Sequence, residues 1–186
     1  MEIPPVIKKF LIDMKFYDSY LYGGCIRDYL MNKEIKDYDI TTNITRSKMI
    51  KKLRKNKIEF KAPKNCTFIY LKISSYELQL GEYETVKTDF TINSFRAYLH
   101  DNFEIIGHKK AFKDLENKKL RAIDKTRRII HRGIYMLIKY PEFNITRRTE
   151  KLFKKLKPDR ERLESFIRKK DINRSEFYKI YEKIRT

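Results

Sequence analysis

A glycine pair followed by two alternate aspartates most constrains how this chain can fold. The segment LYGGCIRDYLMNKEIKDYDITTN places Gly23 and Gly24 shortly before Asp37 and Asp39. The flanking segments DSYLYGG and KDYDITT have the apolar and aromatic content of short strands. Because side chains two apart on a strand point to the same face, the two aspartates are predicted to project together. Carboxylates held this close repel each other unless cations lie between them.

These residue types in this order suit a site for phosphoryl or nucleotidyl transfer. Magnesium prefers oxygen ligands and commonly combines one or two carboxylates with substrate phosphates. Gly23 and Gly24 would let a triphosphate approach the backbone, where the helix beginning near Cys25 presents amide donors. Arg27 would add a charged fork to the phosphates. The alternative is an ordinary turn beside an Asp-x-Asp that lies on the surface by chance.

The charge of the chain favours a polyanionic partner. Lys and Arg number 44 against 25 Asp and Glu, a formal net charge of +19. Such a field concentrates nucleic acid and releases its counterions, although an AT-rich genome also inflates lysine. The two cysteines, Cys25 and Cys66, are too few for a disulfide framework, and the histidines lack the spacing of a zinc site.

No apolar run is long enough to span a membrane, and the N-terminus lacks the apolar stretch of a secretory signal. We therefore expect a soluble intracellular protein, located in the cytoplasm, or in the host cytoplasm or virion if it is viral.

The pattern of predicted elements changes near residue 124. Before it, helices are predicted at 3–16 and 46–56, adjacent strands at TFIYLKI and YELQLGEY, and a hairpin turning at HDN within SFRAYLHDNFEIIG. After it, helices are predicted at TRRIIHRGIYMLIKY, TRRTEKLFKKL, DRERLESFIRKK and NRSEFYKIYEKIR. The aromatic residues of these helices form an apolar stripe or stack on RNA bases, while the charges are available to an RNA backbone.

The motifs resemble those of the class II CCA-adding enzymes and bacterial poly(A) polymerases of the polymerase-β nucleotidyltransferase superfamily. GGCIRDYLMNKEIKDYDITT is similar to that family's Gly-Gly-x-Val-Arg-Asp-x-Leu-Leu followed by Asp-x-Asp-x-x-Thr. YELQL, DFTINSF and AFKDLENKKLRAI resemble later family motifs in the same order. The resemblance spans roughly residues 18–140.

This resemblance implies an α+β fold. Residues 1–123 would form a polymerase-β-like nucleotidyltransferase head, a mixed sheet with flanking helices. Residues 124–186 would form a small all-helical neck, a basic module for nucleotide selection and RNA binding. Family members continue into body and tail domains that this sequence does not show. The resemblance leaves three alternatives: a minimal enzyme, a fragment, or one subunit of an assembly in which a homo-oligomer or a protein partner replaces those domains.

The resemblance also assigns the site residues. It implies that Asp37 and Asp39 bind the catalytic metals, a pair of Mg²⁺ ions, and that Glu77 is a third catalytic carboxylate. The alternative for Glu77 is an exposed glutamate at a strand edge. The nucleotide-binding residues implied by the first two motifs are Gly23, Gly24, Arg27, Asp89 and Asn93. Asp114 is expected to brace the fold, and Arg121 either to brace it or to face phosphate.

The segment DKTRRIIHRGIYM resembles the family's Glu-Asp-x-x-Arg helix, whose Asp and Arg read the nucleotide base. Asp124 and Arg127 fit that spacing, whereas an insertion of one residue would make Arg128 the equivalent arginine. A carboxylate and a guanidinium on one helical face can present an acceptor and donors to a base edge. The alternative is an ordinary ion pair within the helix.

Two departures from the family bear on the product. Only LQLGEYETVKT joins Glu77 to Asp89, where the family has a long loop implicated in switching from C to A addition, and CC-adding relatives have shortened versions. The basic pair before the second motif is reduced to Lys87 and Thr88. Complete CCA synthesis is therefore in question.

The sequence thus predicts a metal-dependent enzyme that adds nucleotides from CTP, ATP or both to an RNA 3′ end, most simply that of tRNA. The alternatives are a small poly(A) polymerase, a transferase that nucleotidylates a protein or another RNA, and a non-catalytic RNA-binding accessory subunit.

Overall fold

The structure is a computed structural model that describes residues 3–35, 37–83, 88–99 and 104–185. The helices in this part of the chain are α1 (Pro5–Asp13), α2 (Gly24–Leu30), α3 (Arg46–Lys55), α4 (Ala111–Glu116), α5 (Arg128–Lys139), α6 (Arg147–Lys155), α7 (Arg160–Lys169), α8 (Arg174–Arg185) and a short 3₁₀ helix at Thr91–Asn93. The strands are β1 (Ser19–Tyr22), β2 (Asp37–Thr42), β3 (Phe60–Lys61), β4 (Ile69–Ile73), β5 (Tyr76–Glu82), β6 (Arg96–Tyr98), β7 (Ile105–Ile106), β8 (Lys119–Leu120) and β9 (Asn144–Ile145).

Two compact units make up the chain. Unit 1 contains Met1–Lys87 and Asn93–Gly107, and unit 2 contains Thr88–Ile92 and His108–Thr186. The predicted domain boundary between residues 123 and 124 is a functional division, and it stays a prediction.

Unit 1 is built on a mixed sheet with the strand order β3-β4-β5-β2-β1-β6-β7. The pairing of β2 with β5 is parallel, and the other pairings are antiparallel. A parallel pair needs a crossover, which here is made by α3, β3 and β4. The α+β class and the mixed sheet with flanking helices are confirmed.

The elements of unit 1 follow from their apolar spacing. In β2, Tyr38 and Ile40 are buried on one face of the sheet, while Asp37 and Asp39 project from the opposite face. In α3, the buried Met49 and Leu53 are one helical turn apart, which leaves the basic residues of this helix on its outer side. The adjacent strands predicted in TFIYLKI and YELQLGEY are β4 and β5.

Unit 2 is mainly helical. Helix α8 packs against α5 and α6, and the buried side chains of this unit include Phe90, Ile134, Phe153 and Phe177. All four predicted C-terminal helices are present as α5 to α8, and the short parallel pair of β8 with β9 accompanies them. None of the helices in the described part of the chain is long and apolar enough to cross a membrane.

Strands β6 and β7 pair antiparallel, as the predicted hairpin requires. Its predicted turn at HDN lies outside the described residues, as does Lys87. Helix α4 was not predicted, because its six residues are too few to show a helical period.

Candidate active site

The glycine turn lies directly beside the aspartates. Gly23 has a φ of 75°, a conformation that favours glycine, and its N–H donates to the carbonyl of Phe95 over 2.9 Å. A Cβ added at Gly23 would lie 3.8 Å from Oδ2 of Asp39 and 3.8 Å from the carbonyl oxygen of Asn93. A Cβ at Gly24 would lie 3.3 Å from the guanidinium of Arg27. The turn therefore brings bare backbone close to the Asp39 carboxylate.

Asp37 and Asp39 share their face of the sheet with residues of the neighbouring parallel strand. In the register of β2 with β5, Asp37 lies opposite Glu77, and Asp39 lies opposite Gln79. Side chains of directly opposed residues project from the same face. Glu77 is therefore on the neighbouring strand, as expected, and it is nearer in register to Asp37 than to Asp39. Its catalytic role stays a prediction.

The negative charge of these aspartates contributes to raising the pKa of two nearby groups. Burial, and then the charge of Asp39, raise the pKa of the Cys25 thiol to about 12, and Asp37 adds to the shift. Burial and the same Asp39 charge also raise the pKa of Tyr22, whose hydroxyl accepts a hydrogen bond from Nε2 of Gln79 over 3.2 Å. Both neighbours therefore remain uncharged beside the carboxylates.

The donor set suits a magnesium ion in part. Asp37 and Asp39 supply hard oxygen donors from one strand face, and both side chains are at least partly exposed. Across the residues that the structure describes, no group of three or more His, Cys, Asp or Glu side chains is placed to hold a metal ion. The carboxylate pair therefore fits a magnesium ion whose remaining ligands are phosphate and water oxygens.

Arg27 and Asn93, which come from separate motifs, meet in the structure. The Arg27 side chain is buried, and its Nε and Nη2 donate to Oδ1 of Asp28 over 2.9 and 2.8 Å. Its Nη1 donates to Oδ1 of Asn93. Asp28 and Asn93 thus fix the guanidinium beside the glycine turn. Its contact with a triphosphate stays a prediction.

Asp89 belongs to unit 2, where it is bound to a residue that the sequence did not single out. Its side chain is buried, its Oδ1 accepts from the N–H of Phe90 over 2.8 Å, and its Oδ2 accepts from Nε of Arg132. The carbonyl of Asp89 accepts from the N–H of Ile123 over 2.7 Å. Asp89 therefore ties the second motif to helix α5.

Asp114 and Arg121 form the bracing contact expected for Asp114. The Nε and Nη2 of Arg121 donate to the two carboxylate oxygens of Asp114 over 2.8 and 3.0 Å, and Thr91 donates its hydroxyl over 2.8 Å. The hydrogen bond to Asp114 raises the pKa of Arg121. The Arg121 guanidinium is therefore held by a buried carboxylate, which favours its structural role over the phosphate-facing one.

Asp124 pairs with Arg128, the second of the two arginines considered. The Nε of Arg128 donates to Oδ2 of Asp124 over 2.6 Å, and Thr126 donates its N–H and hydroxyl over 2.9 and 2.7 Å. Burial alone would raise the pKa of Asp124, but the hydrogen bonds from Arg128 and Thr126 outweigh it, so that the pKa is lowered. Arg127 is exposed and precedes the first residue of α5.

The residues of these sites that were missed from the sequence include Tyr22, Gln79 and Arg132. Gln79 has a signal, because it is two residues from Glu77 and therefore on the same strand face. Arg132 has one as well, because it is four residues beyond Arg128 on the same face of a helix. Tyr22 has none beyond its position before the glycine turn.

The sequence is similar to known proteins over the segment that contains the glycine turn and the two aspartates. Residues 19–88 match the family described as the poly(A) polymerase head domain. A CCA-adding enzyme of Lactobacillus johnsonii is 26% identical over 160 residues, which cover 75% of this chain and 39% of that protein. A CC-adding tRNA nucleotidyltransferase of Shouchella clausii is 25% identical over 126 residues, which cover 65% of this chain and 33% of that protein. The chain thus spans well under half the length of these relatives.

Solved structures share the fold. A tRNA-processing enzyme in an apo form superposes with a TM-score of 0.76 at 22% identity, covering 100% of this chain and 58% of its own. A tRNA nucleotidyltransferase complexed with a primer tRNA and an incoming ATP analogue superposes with a TM-score of 0.72 at 23% identity, covering 96% of this chain and 60% of its own. The likeness extends over nearly all of the chain.

Proposed function

We propose that this chain, whose residues 19–88 match the poly(A) polymerase head domain and whose relatives include CCA-adding enzymes, is a template-independent RNA nucleotidyltransferase of the class II CCA-adding enzyme and bacterial poly(A) polymerase family. The 3′ hydroxyl of an acceptor RNA attacks the α-phosphate of a nucleoside triphosphate, an RNA-phosphate bond forms, and pyrophosphate leaves. The proposed acceptor is a tRNA 3′ end, which accords with the activities named for the relatives.

One observation carries this proposal: Asp37 and Asp39 project from one strand face next to the Gly23 turn. The positive φ at position 23 favours glycine, and because glycine has no side chain, phosphate oxygens can approach the backbone there. The two carboxylates supply a concentrated negative charge at the same place. This arrangement suits the binding of a triphosphate together with the cations that neutralise it.

The residues of this chain fit a magnesium site at Asp37 and Asp39, with Glu77 as a further carboxylate on the neighbouring strand. Magnesium bound there would stabilise the negative charge that develops on the attacking and leaving oxygens. Asp28 and Asn93 hold the Arg27 guanidinium in place near Gly24, where it would attract the phosphates without having to be reoriented.

We assign base recognition to Asp124 and Arg128. Their contact over 2.6 Å fixes both side chains, and each keeps groups that can bond to a base edge. The Arg128 side chain is 43% exposed, which leaves part of its guanidinium open to a base. Arg127 is the other arginine that fits the motif in the sequence, so a variant at Arg127 is the control for a variant at Arg128.

The number of nucleotides added is proposed from the short connection between Glu77 and Asp89. Its residues 84–87 lie outside the described part of the chain. A CC-adding tRNA nucleotidyltransferase is among the relatives, and we propose that this chain adds C without completing CCA. A body and tail, or a partner that replaces them, would then hold the rest of the tRNA.

The test is extension of labelled tRNA transcripts that end before or within CCA, using magnesium and single triphosphates and resolving products to one nucleotide. Asp37→Asn and Asp39→Asn should each reduce incorporation by at least about a thousandfold, because each removes a charge that the reaction requires. Asp13→Asn is the matched control, since this aspartate is exposed in α1 and, among the residues that the structure describes, pairs with Lys9 alone, over 3.2 Å.

The products decide between the alternatives. Addition of C alone supports the CC-adding activity, and long A tracts would show a poly(A) polymerase instead. If no RNA is extended with any triphosphate while RNA is still bound, the chain is an accessory RNA-binding subunit, and the proposed function is wrong.

A further inference from the structure

Unit 2 contains a cavity whose charged lining is entirely basic. It has a volume of about 550 Å³ and lies between the segment that precedes α4, the residues that follow β8, and helix α6. Thr149 and Leu152 form part of its wall. We call it the basic groove. Besides Arg121, its lysine and arginine side chains are Lys109, Lys110, Lys125, Arg148, Lys151 and Lys155. None of the residues assigned to catalysis or base recognition lines it.

Carboxylates in the described part of the chain do not neutralise the cations of the basic groove. In residues 3–35, 37–83, 88–99 and 104–185, none of the six forms an ion pair with a carboxylate. Arg121, which also lines the groove, differs because Asp114 binds it. On the same helix as Arg148, Lys154 lies outside the groove and pairs with Glu150 over 3.1 Å. The positive charge of the groove is therefore available to a ligand.

Helix α6 arranges three of these cations in a row. Arg148, Lys151 and Lys155 are three and four residues apart, so they lie on one face of the helix. Such a row repeats about every 5.4 Å along a helix axis. A nucleic acid strand presents closely spaced charges in the same way, and it releases counterions when they are neutralised.

The chemistry of the lining favours a polymer backbone over a small ligand. Sites for small ligands are mostly apolar, with a few precisely placed polar groups. Here most of the cations are lysines on exposed, flexible stems, which act as point charges. Contacts of this kind position a nucleic acid without reading its sequence.

We propose that the basic groove binds the sugar–phosphate backbone of the acceptor RNA. This rests on the proposed function for the identity of the strand, because an enzyme that extends RNA 3′ ends must hold many RNAs by contacts that ignore sequence. The groove supplies such contacts from α6, from the residues that precede α4 and from those that follow β8.

The experiment compares two triple variants of the full chain. The groove variant is Arg148→Gln with Lys151→Gln and Lys155→Gln, and the matched variant is Arg147→Gln with Lys154→Gln and Lys157→Gln. Both lose the same charge from the same region, but Arg147, Lys154 and Lys157 do not line the groove. Circular dichroism first establishes that both variants are folded.

Binding of a fluorescently labelled minihelix RNA with a single-stranded 3′ end is measured by anisotropy over a series of KCl concentrations. The groove variant should bind at least about tenfold more weakly, and the slope of log K against log salt should become shallower by about 2 to 3, because each lost phosphate contact removes nearly 1. The matched variant should change affinity less than about threefold by the same reasoning.

Equal losses in the two variants would mean that only net charge matters and would overturn the proposal. Unchanged RNA binding with a raised KM for the triphosphate would overturn it in favour of a nucleotide site. Incorporation by the wild-type chain is measured on the same RNA. If the wild type adds no nucleotide but the difference in salt slope persists, the proposed function has failed, and the groove stands as an RNA site.

Discussion

The buried carboxylate of Asp89 accepts a hydrogen bond from the guanidinium of Arg132, a residue 43 positions later in the chain. Asp89 is 3% exposed, whereas the Arg132 side chain is 45% exposed. The contact joins the segment of the second motif to helix α5 inside unit 2. It gives Asp89 a structural role, and the role of Asp89 in nucleotide binding stays a prediction.

Asp89→Asn should therefore lower the free energy of unfolding by about 1 to 3 kcal/mol, because a buried charge-assisted hydrogen bond is lost. Urea denaturation measures it. Arg132→Gln and the double variant complete a cycle, in which the coupling between the two sites should exceed about 0.5 kcal/mol. If the two effects simply add, and Asp89→Asn instead raises only the KM for the triphosphate, then Asp89 acts on the nucleotide and does not brace α5.

Gly133→Ala should destabilise the protein, although alanine favours a helix over glycine by about 1 kcal/mol. A Cβ at Gly133 would lie 2.9 Å from a ring atom of Phe153 and 3.2 Å from one of Phe90. Such overpacking costs about 1 to 3 kcal/mol. Thermal denaturation should show a lower Tm for Gly133→Ala, and Phe153→Leu in the same chain should recover part of the loss. A higher Tm in the single variant would contradict this packing.

Arg128→Gln should change which nucleotide is added. The pairing with Asp124 holds the Arg128 guanidinium in place, and base recognition by Arg128 is the proposed role. Good pairs of hydrogen bonds to a base discriminate by about 1 to 3 kcal/mol. The ratio of kcat/KM for CTP to that for ATP should shift about tenfold or more on this basis. Arg127→Gln removes the same charge from the neighbouring position and should leave the ratio nearly unchanged. The reverse pattern would restore Arg127 as the reading residue.

Stability should fall in acid partly through His131. Burial, and then the charges of Arg132, Arg128 and Arg162, lower its pKa from 6.5 to about 4. Because the folded pKa is below the unfolded one, the folded state favours the neutral ring. The resulting stability is present above about pH 6.5 and is lost as the pH falls toward about 4.

His131→Phe keeps a ring against Phe166, whose centroid is 4.5 Å from that of His131, and removes the titration. Urea denaturation between about pH 6.5 and pH 4 should then show a shallower decline in the free energy of unfolding than in the wild type. His108→Gln serves as the control at an exposed histidine. An unchanged slope in His131→Phe would assign the acid sensitivity to other groups.

Local patterns in the sequence predicted the parts of the site that depend on neighbours along the chain. The common face of Asp37 and Asp39 follows from the two-residue period of a strand, and the helices after residue 124 follow from their apolar spacing. That Glu77 lies on a strand next to the one with Asp37 was expected from the family resemblance alone, because strand pairing between distant segments leaves no local signal. Its register opposite Asp37 came from the structure.

Contacts between distant polar residues could not be predicted. Arg27 and Asn93 are 66 positions apart, and each has a plausible role alone, so nothing in the sequence pairs them. Arg128 rather than Arg127 meets Asp124 because α5 begins at Arg128, and helix ends are set by packing as much as by sequence. The pairing of Arg132 with Asp89 was missed because the two residues are far apart in the sequence and meet only in the folded structure.

The path of the chain limits its modularity. Thr88–Ile92 belongs to unit 2, yet unit 1 resumes at Asn93–Gly107 before unit 2 continues. No single cut therefore yields both units whole: a fragment that begins at His108 lacks Asp89 and Phe90, which bind Arg132 and pack beside Gly133. Recombination at one point would damage one unit or the other, so the two are expected to be inherited and exchanged as one piece.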